Sequence, residues 1–140
     1  MKPENRSQLM KCLGAEQRNF VWSWCAVNEK DKKVYLSVWE DTRKVRGSDT
    51  KPSYLIQEPH WGVNEQTGSR AAARNDHDEK LSKIFNDGYE PYGYFVVAKD
   101  IHANPREIEY TKTSFIFLLE LKVLDDGSII CYPIERIEIL

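Results

Sequence analysis

The residues of this chain with chemistry to offer are flat rings set beside charged groups. Tryptophans stand at Trp22, Trp24, Trp39 and Trp61, with Tyr92 and Tyr94 further along. An indole face can hold a planar heterocycle by stacking, largely regardless of which heterocycle it is. Trp39 is followed at once by Glu40, Asp41, Thr42 and Arg43. A ring beside a carboxylate, a hydroxyl and a guanidinium suits a planar polar ligand such as a nucleobase: Trp39 stacks, and Asp41 accepts from an exocyclic amine at the base edge. Arg43 and Arg46, within the run Arg43-Lys44-Val45-Arg46-Gly47-Ser48, would meet phosphates electrostatically. Arg70 and Arg74 share a helix face near its N-terminal end and add a second anion-holding pair. For any one of these tryptophans a place in the core is the ordinary alternative. Trp61, isolated in a polar stretch, also reads as a protein-binding hot spot.

Catalytic chemistry has fewer candidates. GxSxG, HExxH, GxxxxGK[ST] and GxGxxG are all absent. Cys25 could serve as a nucleophile with His60 or His77 as base, but a mid-strand thiol flanked by bulky residues is usually buried and inert. Asp76, Asp78 and Glu79 beside Lys80 have the residue types of a metal-dependent nuclease. On a helix Asp78 points away from the other two, and a solvated helix face explains the group. The expectation is a protein that is not an enzyme and uses no cofactor. Cys12, Cys25 and Cys131 are odd in number and far apart, with no CxxC, so neither a disulfide framework nor a zinc site is expected. Each should fill a core position as a small apolar residue.

Composition bounds the rest. The 140 residues are 41% hydrophobic, 30% charged and 11% aromatic, which suits a single α+β domain over 1–140 and excludes a disordered chain. No apolar run reaches the ~20 residues that span a bilayer, and the polar start Met1-Lys2-Pro3-Glu4 leads into no signal-peptide core. A cytoplasmic location and no membrane partner are the expectation. The net charge of -2 argues against a generic nucleic-acid coat. It is unevenly spread: residues 1–74 carry 13 Lys+Arg and 9 Asp+Glu, residues 75–140 carry 7 and 13.

Elements must position these groups. Leu9, Cys12 and Leu13 predict a short helix that ends at Gly14. Alternation predicts a strand over 19–27, with Phe20, Trp22, Trp24 and Ala26 on one face and Cys25 and Val27 on the other. After a polar turn, 33–39 forms the second arm of a hairpin, with Val34, Leu36 and Val38 opposite Tyr35 and Trp39. A short strand at 53–57 precedes a helix over about 70–86, capped by Ser69 and buried along His77, Leu81, Ile84 and Phe85. Then come a central strand at 94–98, a short extended piece at 107–110, and a hairpin of 114–123 with 129–136 turning at Gly127. The sum is α+β: a curved, mostly antiparallel sheet or small open barrel with two flanking helices.

The run Asn19-Phe20-Val21-Trp22-Ser23-Trp24-Cys25-Ala26-Val27, with Val34-Tyr35-Leu36-Ser37-Val38-Trp39-Glu40-Asp41 after it, carries a resemblance. It resembles the W-S-W-x-A-V … V-x-L-x-V-W-x-D pattern in N-terminal modules of McrA-like HNH restriction endonucleases. Those modules sit beside SRA and PUA-like domains that read modified bases in DNA. Gly88-Tyr89 and Gly93-Tyr94-Phe95-Val96-Val97 extend the likeness, which covers roughly residues 19–100. It implies a PUA/SRA-like fold and a DNA-binding module, with RNA the alternative ligand, that recognises modified bases in a restriction or defence system. The positions carried over are Trp22, Trp24, Trp39 and Asp41. No HNH motif is present, so cleavage would belong to a nuclease on another chain. The rival expectation is a protein-interaction or accessory subunit that binds no nucleic acid.

Overall fold

Alternating apolar residues on both faces of 33–39 require a sheet covered on both sides, and the chain builds one. The computed structural model describes residues 2–17, 24–103 and 106–139. Two helices, α1 (Arg6–Cys12) and α2 (Ala72–Asp87), accompany seven strands: β1 (Cys25–Asn28), β2 (Lys33–Trp39), β3 (Tyr54–Gln57), β4 (Glu90–Ala98), β5 (Ile108–Thr111), β6 (Phe115–Val123) and β7 (Ile129–Glu138). The sheet order is β1-β2-β4-β6-β7-β3, with β5 paired to β4 off this path. The fold is α+β and the sheet mostly antiparallel, and it does not close into a barrel. Neither described helix is long and apolar enough to cross a membrane.

The two faces of the sheet hold two cores. Cys25, Val27, Val34, Leu36, Val38 and Phe95 pack with Leu81 of α2. Ala26, Tyr35, Tyr92, Tyr94 and Val96 pack with Leu9 and Met10 of α1, and Trp39 lies partly buried against this second cluster. The side-chain alternation along β1 and β2 is the one their sequence predicts.

One pair departs from the hairpin pattern. β2 and β4 run parallel in register from Lys33↔Glu90 to Trp39↔Val96. A parallel pair needs a crossover, and here it carries β3, the loop at 58–71 and α2 from one strand to the other. β4 then divides its far edge, pairing with β6 at Tyr92 and Gly93 and with β5 from Val96 to Ala98. At Gly93 a Cβ would lie 2.8 Å from Leu119 Cδ1 and 2.9 Å from Val38 Cγ2, so any larger residue would push these buried side chains aside.

Helix α2 corrects three expectations. Its N-cap is Ala71, which makes no side-chain cap; Ser69 stays in the preceding loop, its Oγ accepting from Thr67. The loop's own bridge, Val63 to Arg70, holds the chain extended past Ser69. His77 and Leu81 are buried and Ile84 partly so, as expected, but Phe85 is 47% exposed, and the buried face takes in Arg74, Asp76 and Lys80. Asp76 is therefore not on a solvated face: it is fully buried, with Lys80 Nζ at 3.0 Å and the Cys25 thiol donating to it at 3.6 Å. Cys25 and Cys131 fill core positions as expected, but Cys12 is exposed: Leu9, Met10 and Leu13 are the residues of this segment that pack against the sheet.

Candidate functional site

The crossover brings the loop after β3 alongside the end of β2. Between them lies a cleft of about 500 Å³ whose lining includes two indoles, Trp39 and Trp61. The polar groups facing it come from Thr42, Gln57, Glu58, His60 and Arg106, and Leu55, Ile56 and Gly62 complete the lining with Ala103. Mixed apolar and hydrogen-bonding walls of this size suit a small planar ligand or one residue of a polymer.

The Trp61 wall is built from α2. Arg74 donates through Nη1 to the carbonyl oxygens of Glu58 (3.2 Å), Pro59 (2.9 Å) and Trp61 (2.7 Å), and through Nε to Asp78 Oδ1 (3.0 Å). One buried guanidinium thus ties down three carbonyls of the loop. Gly62, at φ +68°, passes so close that a Cβ there would meet Arg74 Cβ at 2.7 Å. Asp78 also takes Arg70, and Gln57 Nε2 donates to it at 3.0 Å and to His77 Nδ1 at 2.9 Å. The carboxylate can only accept, which sets the Gln57 amide orientation. His77 Nδ1 is then an acceptor, and the ring is neutral with its proton on Nε2. Trp61 rests edge-on against this imidazole, centroids 5.4 Å apart.

Electrostatics agree with that geometry. Burial lowers the His77 pKa to about 4, against the opposing pull of Asp78 and Asp76. Burial alone would raise the Asp78 carboxyl, but hydrogen bonds from Gln57 and Arg74 and the charges of Arg74 and Arg70 outweigh it and hold the pKa below the ordinary value.

The Trp39 wall is held differently. Trp24 packs on the indole at 5.5 Å, tilted by 51°. The Arg106 guanidinium lies over the same ring, 5.3 Å from its centroid. Its Nη1 is 2.8 Å from Asp41 Oδ1, and its Nη2 donates to the Ile101 carbonyl at 2.9 Å. Next to it Lys112 Nζ reaches Glu40 at 2.6 Å. The two acidic residues of the 3-10 turn Glu40–Thr42 are thus each paired with a cation from the segment around β5.

The structure sorts the residues singled out in the sequence. Trp39 lines the cleft and Trp24 supports it from the side; Trp22 lies outside the described residues. Asp41 does not face the cleft: the 3-10 turn carries its carboxylate around to Arg106, beside a smaller hollow with Val97, Ala98 and Ile101. Arg74, expected at a phosphate, is 7% exposed and its donors serve the loop and Asp78. Arg70, half exposed, also pairs with Asp78. Arg43 is exposed and Arg46 partly so, its Nη1 2.5 Å from Ser53 Oγ, on the stretch that pairs Lys44 with Ser53 and so runs beside β3.

Gln57 and Arg106 are not among the residues the sequence singles out, and His60 is so only as a possible base for Cys25. Gln57 carried a signal, a polar residue closing an apolar strand and pointing inward; Arg106 sits in a polar connection and carried none. Cys25 is wholly buried, and its thiol pKa is raised by that burial first and by the Asp76 charge second. It lies with Asp76 and Lys80, and His60 faces the cleft instead. Among the described residues no three His, Cys, Asp or Glu side chains converge on a metal position. No protein-family model, curated protein or solved structure matches the chain.

Proposed function

We propose that this is a nucleic-acid-binding module that takes one base between Trp39 and Trp61. The observation that carries the reading is that two indoles, from distant segments of the chain, line one cleft together with hydrogen-bonding side chains. Base–aromatic stacking contributes ~1–3 kcal/mol per base. Gln57, with its Nε2 already committed to Asp78 and His77, offers the cleft a fixed group at the base of the site. Thr42, Glu58 and His60 supply further edge contacts. Arg43 and Arg46, on the stretch beside β3, would meet the phosphates of the flanking chain.

The resemblance to modules of McrA-like restriction endonucleases favours DNA with a modified base as the ligand. The PUA/SRA-like architecture belongs to the same proposal, supported by a mostly antiparallel sheet with a helix on each face. In a defence setting the nuclease would be a separate chain.

Fluorescence anisotropy with labelled single- and double-stranded DNA across a salt series tests this. Binding that weakens as salt rises, and that falls about 30-fold in Trp61→Ala, is expected. No binding at low salt to either modified or unmodified DNA overturns it.

A further inference from the structure

The Trp39 face that a base would need is already covered, and by a side chain with a competing partner. Arg106 lies 5.3 Å over the indole, lines the cleft, and is tied to Asp41 at 2.8 Å and to the Ile101 carbonyl at 2.9 Å, both of which it must leave to swing off the ring. Both side chains of that ion pair are about a quarter exposed, 28% and 25%. A partly solvated pair is weak and exchangeable. A phosphate is a better partner for a guanidinium than a single carboxylate oxygen, because it can accept from both arms of the fork.

We propose that Arg106 is the gate of the cleft, opened by an anionic group on the ligand itself. In the free protein Asp41 holds Arg106 across the indole. A nucleic-acid phosphate takes the guanidinium from Asp41, the guanidinium swings off the ring, and the base stacks in its place. Opening and phosphate binding are one exchange of ion-pair partner, so the cleft admits a base that carries its phosphate and resists a neutral flat molecule of the same shape. Asp41 is then a positioning residue that acts through Arg106. The inference rests on the base-binding reading above and adds a specificity to it.

Two single-stranded decamers of one sequence, one with phosphodiester linkages and one with uncharged methylphosphonate linkages, separate the two. Tryptophan quenching in the full chain is the readout. Asp41→Asn should bind the uncharged decamer about threefold tighter, the scale of a partly exposed ion pair. Arg106→Gln should bind the uncharged decamer tighter but the phosphodiester decamer about tenfold weaker, since a charge-assisted contact is lost. A role limited to holding the fold would move both decamers in the same direction. If neither variant improves the uncharged decamer, or if Asp41→Asn weakens both, the gate is wrong and the base cleft stands. If neither decamer quenches the wild-type tryptophans, cleft and gate fall together.

Discussion

The two walls of the cleft are built on opposite principles. The Trp61 wall is braced by a buried arginine that reaches three backbone carbonyls and a carboxylate, and by a glutamine and a neutral histidine behind them. The Trp39 wall carries its charge in two partly exposed ion pairs, and the guanidinium of one of them lies over the ring. Groups buried with several partners cannot change them one at a time, whereas a solvated pair exchanges easily. One wall is therefore a fixed platform and the other an adjustable one. A site with this division can keep its shape while admitting a ligand from one side.

The largest effect should come from breaking the fixed wall. Arg74→Met leaves three loop carbonyls and Asp78 without their shared donor, and should cost about 4 kcal/mol in urea unfolding, with a red shift of Trp61 emission. Acid should loosen the same wall almost as much. His77 is neutral in the fold down to about pH 4, while in the unfolded chain it takes its proton near 6.5. The unfolded chain binds more protons across that window, so stability is complete above pH 6.5 and falls as pH drops. The loss reaches about 3 kcal/mol at pH 4. The depressed Asp78 pKa adds a further loss below the ordinary carboxylate value. His77→Gln should flatten the slope between pH 6.5 and 4; an unchanged slope would show that another group carries it. The adjustable wall should hardly register: Asp41→Asn should change unfolding stability by less than about 1 kcal/mol. A larger loss there would erase the contrast between the walls.

Much of this framework was legible along the chain. β2 spans the residues its alternation predicts, the hairpin of β6 and β7 turns at Gly127 (φ +90°), and α1 ends at Gly14 (φ +66°). These are local signals, with a period of two or a residue that tolerates positive φ. The face of α2 was hidden because Arg74, Asp76 and Lys80 read as solvated until their partners are known. The carbonyls of Glu58, Pro59 and Trp61 that take Arg74, and the Cys25 thiol that meets Asp76, come from distant segments. The meeting of Trp39 with Trp61 depends on the parallel pairing of β2 and β4, which nothing local in either strand announces. Asp41 was placed correctly in sequence and wrongly in space, since a 3-10 turn between strand and loop rotates its carboxylate away from the ring beside it.

The central claim is that a base sits between two particular indoles out of four. Each tryptophan has one indole N–H, so a two-dimensional NMR titration with unlabelled single-stranded DNA, assigned by Trp39→Phe and Trp61→Phe, reads each ring separately. The account predicts that the Trp39 and Trp61 signals move together and saturate at one ligand per chain. Binding that leaves both signals in place would contradict it.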